Sequence, residues 1–215
     1  MFGRGVLDVV PPVPMTILAL DTSTPHASIA LLADGVVLLE ERFTAARGHS
    51  ALLFPILARA RAVAAQIDLV AVGLGPGSYA GVRIAIAAAL GFELGLGARL
   101  VGLPSVAALE TEASRYVAIG DARRSSFYYT EVEDGVCVDG PRLLAELELH
   151  AALAACQLPI YGTEPMPAFP TVPAARPDAV RLARLAARDR GLVARDDLEP
   201  IYLREPHITQ PKARA

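Results

Sequence analysis

Hydrophobic and polar positions sort into short apolar runs near the N-terminus and into longer stripes farther along. The run Thr16-Ile17-Leu18-Ala19-Leu20 ends on Asp21 and predicts a buried strand. Ala27–Leu32 predicts a second strand, Asp34-Gly35 a hairpin turn and Val36–Glu41 a third strand. The chain thus opens as a meander, not as the strand–helix–strand of a dinucleotide-binding domain. Then the period changes. Leu52, Leu53, Ile56, Leu57, Ala60 and Val63 form one stripe of a helix over 50–64, with Ser50 as N-cap and Pro55 disturbing its first turn. Strand Leu69–Val72 runs into the turn Gly73-Leu74-Gly75-Pro76-Gly77-Ser78, which leads to a second helix over 80–96. Strand Arg99–Leu103 follows, and Ser105 after Pro104 is placed as the cap of a third helix.

Composition shifts near Pro104, which divides the chain into domains 15–104 and 105–215. The second domain is predicted to hold strands at 116–120 and 126–131, a turn at Asp134-Gly135, a helix over 143–155 and a strand at 159–162. A loop through Pro165, Pro167, Pro170 and Pro173 then leads to a helix over 178–190, closed by Gly191. Residues 1–14, broken by Pro11, Pro12 and Pro14, are expected to be a flexible extension ahead of Met15. No internal repeat is evident in the sequence.

With 215 residues, 53% of them hydrophobic, the chain can bury a core without a disulfide or metal staple. Its two cysteines, Cys137 and Cys156, make neither a disulfide framework nor a metal spacing, which fits a reducing compartment. Lys+Arg 20 against Asp+Glu 23 gives a net charge of -3, which argues against a stand-alone nucleic-acid binder. The longest apolar run, between Arg83 and Glu93, is short of the ~20 residues of a membrane span, and none is expected.

Two segments carry candidate chemistry. The turn 73–78 sets glycines at a helix N-terminus, where amides and positive φ suit an anion, although a purely geometric role explains them as well. It has neither the Gly-Lys-Ser/Thr of a P-loop nor the flanking glycines of a hydrolase nucleophile. Asp21-Thr22-Ser23-Thr24 has the form of a phosphate hairpin at a strand's carboxyl end, or of a simple Asx turn. Candidate nucleotide or anion ligands are therefore Asp21, Thr22, Ser23, Gly75, Gly77 and Ser78. His26, His49, His150 and His207 are scattered without helical spacing, so no metal site is expected. Asp121 and Arg123 read most simply as a structural ion pair, and Arg181, Arg184 and Arg188 as a solvated helix face.

Five segments in order resemble the TsaB (YeaZ) family of bacterial tRNA threonylcarbamoyladenosine biosynthesis proteins. They are Ile17–Ser23, Arg47-Gly48-His49-Ser50, Gly75–Ile84, Asp121-Ala122-Arg123 and Pro200-Ile201-Tyr202-Leu203-Arg204. Tyr79, Ala80 and Val82 replace the family's usual Phe, Thr and Leu, and Ala85 a common Gly. The resemblance implies a two-lobed actin-like (ASKHA, ribonuclease H-like) α/β fold with a mixed sheet. It implies a non-catalytic, cytoplasmic subunit that supports a TsaD-type transferase, which carries a metal-binding His-x-x-x-His pair absent here, and works with a TsaE-type ATPase. The acceptor would be the adenosine next to the anticodon of tRNAs that read codons beginning with A, with tRNA met through the complex. The family's older glycoprotease-like naming finds no nucleophile or metal set in this sequence.

By the same resemblance no cofactor is tightly bound, ATP or ADP would sit at the complex interface, and the chain alone would form a homodimer. Partner contact is implied for the first two helices, here Leu52, Leu53, Ile56, Gly81, Arg83, Ala85 and Ala89. Those small residues could equally pack on the sheet, so their direction stays open. His49, Asp121, Arg123, Tyr202 and Arg204 are family-motif positions without an assigned role. Two other classes fit part of the pattern: a nucleotide-binding regulatory module, and a kinase-like enzyme of the actin-like superfamily. The enzyme would need acidic residues for Mg²⁺ beyond Asp21.

Overall fold

The computed structural model describes residues 15–45, 49–189 and 191–204. The expected extension 1–14, Arg47, Gly48, His207 and the side chain of His49 lie outside the described residues.

Two mixed sheets organise the chain. Strands β1 (Thr16–Asp21), β2 (His26–Ala33), β3 (Val36–Thr44), β4 (Leu69–Gly73), β5 (Arg99–Leu103) and β10 (Val193–Ala194) form the first, in the order β10-β5-β4-β1-β2-β3. Strands β6 (Arg115–Asp121), β7 (Ser126–Glu133), β8 (Val136–Ala145) and β9 (Ile160–Gly162) form the second, in the order β8-β7-β6-β9. The sequence hides a repeat that the topology shows. In each sheet an antiparallel meander is followed by a strand parallel to its first member, β4 beside β1 and β9 beside β6. This is the two-lobed actin-like fold.

β1 reads as a continuous apolar run because both faces of its sheet are covered. Ile17 and Ala19 face a core completed by α4 (Ala179–Ala187), while Leu18 and Leu20 face α1 (His49–Val63) and α2 (Tyr79–Leu96). Each buried leucine contributes roughly 1.5–3 kcal/mol. The α4 core continues through Tyr116, Ala118, Tyr128 and Val132 into the second sheet, so the lobes share one apolar layer. A third core, with Ile119, Phe127, Leu149 and Phe169, lies under α3 (Glu146–Ala155) and the proline-rich loop.

Several expectations need correction. Residues 143–145 extend β8 instead of starting a helix: Leu144 is held opposite Phe127, and α3 begins at Glu146. Ser105 caps no full helix; Ser105–Ala108 is a single 3-10 turn. α1 begins at His49, so Ser50 lies inside it. The C-terminal segment does not stay with the second sheet. α4 packs on β1 and β2, and β10 pairs with β5. Asp178 anchors that return: its Oδ1 caps α4 by accepting from Arg181 N (2.8 Å), and its Oδ2 meets Arg42 (2.7 Å) from β3. The 18-residue α2 is also long and apolar enough to cross a membrane by length and composition, even with Arg83 and Glu93 inside it. In the structure its Val82, Ala85 and Ala89 belong to the sheet-facing core.

Candidate functional site

The carboxyl ends of β1, β4, β6 and β9 meet at a cleft between the sheets. Two adjoining cavities of about 480 and 520 Å³ share Gly77, Asp121, Arg123 and Glu164 in their walls.

On the first-sheet side the two candidate anion turns close on each other. Asp21 is 1% exposed, and its Oδ1 accepts from Ser23 N (2.9 Å) and Ser23 Oγ (2.7 Å). Its Oδ2 lies over Gly73 and beside Ser105 but makes no hydrogen bond of good geometry. Burial pushes the Asp21 carboxyl above its usual range, against the lowering influence of Ser105 and Ser23. The glycine turn supplies amides mostly to the protein. Leu74 N donates to Leu103 O (2.8 Å), Gly75 N to Ser105 Oγ (2.9 Å), and Ser78 N to Ser23 O (2.6 Å). Gly81 N donates to the N-cap oxygen of Ser78 (3.2 Å), and Thr22 Oγ1 donates to Gly81 O (2.7 Å).

Glycine is required here by close approach. A Cβ on Gly73 would strike the Asp21 carboxylate, one on Gly77 the Ser23 carbonyl, and one on Gly81 the Thr22 carbonyl. The candidate anion set is therefore brought together: Asp21, Thr22, Ser23 and Gly75 are buried in the junction, while Gly77 and Ser78 reach the cleft wall. Leu74, Gly75 and Ser78 thus direct their N–H groups into the protein, whereas a triphosphate cradle needs its amides facing outward. Ser105, whose oxygen ties this junction to the next strand, is a site residue that sequence reasoning missed; its signal was hidden by its helix-cap appearance.

The second-sheet wall is open. Asp121 Oδ1 accepts from Arg123 N (2.6 Å), and Arg123 Nη1 meets Asp121 Oδ2 (3.2 Å). The ion pair leaves the Arg123 side chain 86% exposed. Arg123, Arg124 and Ser125 all take positive φ, 66°, 56° and 55°.

The segment Pro200–Arg204 crosses the mouth of the cleft. Ile201 N donates to Leu74 O (2.8 Å), and the Tyr202 ring lies 5.5 Å from that of Tyr79. Arg83 Nη1 donates to Tyr79 Oη (2.6 Å). The hydrogen bond with Tyr202, then Arg83, hold the Tyr79 phenol below its usual range, while the same Tyr79 contact raises that of Tyr202. Thus the motif residues Asp121, Arg123, Tyr202 and Arg204 converge on one cleft.

The expected partner residues separate. Leu52 and Arg83 are exposed, but Leu53, Ile56, Gly81, Ala85 and Ala89 are buried against the first sheet. The small residues of α2 let the helix approach its own strands. What the two helices present outward is a shallow groove between Phe54, Ala58 and Arg61 of α1 and Gly91 and Phe92 of α2. Among the described residues no three His, Cys, Asp or Glu side chains converge as metal ligands. Burial raises the Cys137 thiol to about 11, which keeps it protonated and unreactive at neutral pH.

The family model described as "TsaD: tRNA N6-adenosine threonylcarbamoyltransferase" matches residues 43–147. An uncharacterized protein of Mycobacterium tuberculosis is 31% identical over 198 residues, covering 89% of this chain and 92% of that protein. The tRNA threonylcarbamoyladenosine biosynthesis protein TsaB of Escherichia coli is 33% identical over 129 residues, 55% of each chain. The solved structure of YeaZ from Pseudomonas aeruginosa is 28% identical with a TM-score of 0.68, covering 88% of this chain and all of that one.

Proposed function

Because the chain belongs to the TsaB (YeaZ) family, we propose that it is a non-catalytic subunit in forming threonylcarbamoyladenosine in tRNA. It docks through α1 and α2 onto a larger TsaD-type transferase and works in the cytoplasm with a TsaE-type ATPase. The modified base is the adenosine next to the anticodon in tRNAs that read codons beginning with A. The observation that supports this reading is the junction around the buried Asp21. Asp21 is buried beside Gly73, and the amides of Leu74, Gly75 and Ser78 are engaged by Leu103, Ser105 and Ser23, an arrangement poorly suited to phosphoryl transfer or tight nucleotide binding. ATP or ADP then belongs to the interface of the assembled complex, and the isolated chain hydrolyses none.

Docking uses the outward groove, not the small residues of α2. Phe54, 53% exposed, supplies an aromatic anchor beside Gly91, where added atoms meet open space. In the absence of its partner the chain pairs with itself over the same helices. The test is reconstitution: purified chain, TsaD-type and TsaE-type proteins, ATP, threonylcarbamoyl donor and tRNA, with modified nucleoside measured by mass spectrometry. Modification should require the chain. Ala58→Glu and Gly91→Glu, both at exposed positions, should melt like the wild type yet lose co-elution with the transferase and lose modification. Full modification by those variants, or without the chain, overturns the proposal.

A further inference from the structure

Among the described residues, three Phe or Tyr side chains count as exposed: Phe54 in the docking groove, and Tyr79 and Tyr202 together at the cleft mouth. The other tyrosines are buried or half-buried, so two exposed rings side by side are not a by-product of composition. Each is nearly half exposed, and the rings lie 5.5 Å apart at a 43° tilt, so each keeps part of its surface open to the cleft mouth. The Arg83 guanidinium lies 5.2 Å from the Tyr79 ring centroid. Farther into the cleft, Arg123 and Arg204 line the same cavity as both tyrosines, and Arg124 lines the adjoining one. Arg83, Arg124 and Arg204 form no salt bridge among the described residues.

Aromatic faces next to spaced guanidinium groups match the chemistry of an unpaired nucleotide, whose base stacks and whose phosphate needs one cation. We propose that this cleft receives unpaired nucleotides of an RNA strand, with bases stacked on Tyr79 and Tyr202 and phosphates met by Arg123 and Arg204. A free nucleoside triphosphate fits worse, because it needs several convergent amides and the nearby turn has engaged those of Leu74, Gly75 and Ser78. A strand suits two adjoining cavities with shared walls, since it needs only single contacts spread along its length. Glu164, which reaches both cavities, is placed to accept from an amino group of a base and would repel a phosphate. The choice of RNA over other strands rests on the tRNA-modification reading; the site itself does not.

The test is fluorescence anisotropy with the full chain and a short labelled single-stranded oligoribonucleotide, against a duplex of the same composition. The single strand should bind more tightly than the duplex. Tyr79→Ala and Tyr202→Ala should each weaken it by about tenfold, the scale of one lost base stack. Tyr202→Phe, which keeps the ring and loses only the hydroxyl, should bind like the wild type. Arg204→Gln should reduce the salt dependence by about one phosphate contact. ATP at equal concentration should not displace the strand. Equal binding of the duplex, wild-type binding by both alanine variants, or displacement by ATP overturns the proposal. Should the alanine variants melt early, the Arg204→Gln salt slope and photo-crosslinking of a thiouridine strand to the Tyr202 peptide decide it. The reconstituted reaction separates this proposal from the family reading. Modification supported by a chain that binds no strand refutes the cleft alone, and tyrosine-dependent binding without modification refutes the family role alone.

Discussion

Each sheet begins with a strand that ends on an aspartate, Asp21 in β1 and Asp121 in β6. In both, the carboxylate accepts from the backbone N–H two residues on, Ser23 in one case and Arg123 in the other. Beyond that turn the lobes diverge. The strand beside β1 ends in Gly73, over which the Asp21 carboxylate lies, and α2 follows with its first turn pressed on Ser23. The strand beside β6 ends in Gly162 and continues as Thr163, whose hydroxyl meets Tyr128 Oη (2.8 Å), with no long helix pressing on the Asp121 turn. The first lobe uses the motif to join elements; the second holds it open with two exposed arginines. Equivalent positions in a repeated topology thus carry different chemistry, because what packs behind the turn decides whether its polar groups face protein or solvent.

The largest effect should come from breaking the closed junction. Gly77→Val places a branched side chain against the Ser23 backbone, which cannot shift without moving β2, and should cost about 3 kcal/mol or more in urea unfolding. Asp21→Asn sharpens the contrast between the aspartates. Burial raises the folded-state pKa of Asp21 above 3.8, so the folded state holds a proton that the unfolded state has released, and stability falls as pH rises through the folded value. Asn keeps the oxygen that Ser23 needs and removes this dependence. The variant should melt higher at pH 7 and show a flatter stability profile above pH 3.8, measured by thermal unfolding across pH. A variant that melts lower at pH 7 would show that the charge, not the shape, is needed.

The open turn should respond in the opposite sense. Arg124 holds a left-handed conformation (φ 56°) that costs an L-residue about 1 kcal/mol, so Arg124→Gly should stabilise by about 0.5–1 kcal/mol. Denaturant midpoints would check it; a loss of stability means the side chain has packing that offsets the strain. The smallest effect belongs to Asp121→Asn, expected within about 0.5 kcal/mol of the wild type because the pair with Arg123 is solvent-exposed.

Much of the fold was legible because its signals are local. The apolar run into Asp21, the Asp34-Gly35 turn, and the helices from 50 and from 80 depend on neighbours in sequence, and each lies within a residue or two of its expected place. What the sequence concealed depends on distant partners. The inward face of Ala85 and Ala89 is set by the sheet behind it, β8 overrides the helical look of Leu143–Ala145 by pairing with β7, and the destination of α4 is set by Ser28 and Arg42. In the cleft, Asp121, Arg123, Tyr202 and Arg204 were visible as a motif, but their meeting with Tyr79 required both lobes. Three consecutive left-handed residues at Arg123-Arg124-Ser125 carry no Gly or Asn to announce them.

The return of α4 and β10 to the first sheet has a consequence for synthesis. The second sheet is continuous in the chain between Arg115 and Gly162, so its strands can assemble as soon as that stretch leaves the ribosome. The first sheet, made earliest, cannot cover its Ile17 and Ala19 face until residues 179–187 emerge. The earliest-born strands therefore wait with one apolar face uncovered through most of translation, the interval in which aggregation competes with folding. A ribosome stalled just before Asp178 would hold two paired sheets whose shared apolar layer, from Ile17 and Ala19 to Tyr116 and Val132, still lacks α4.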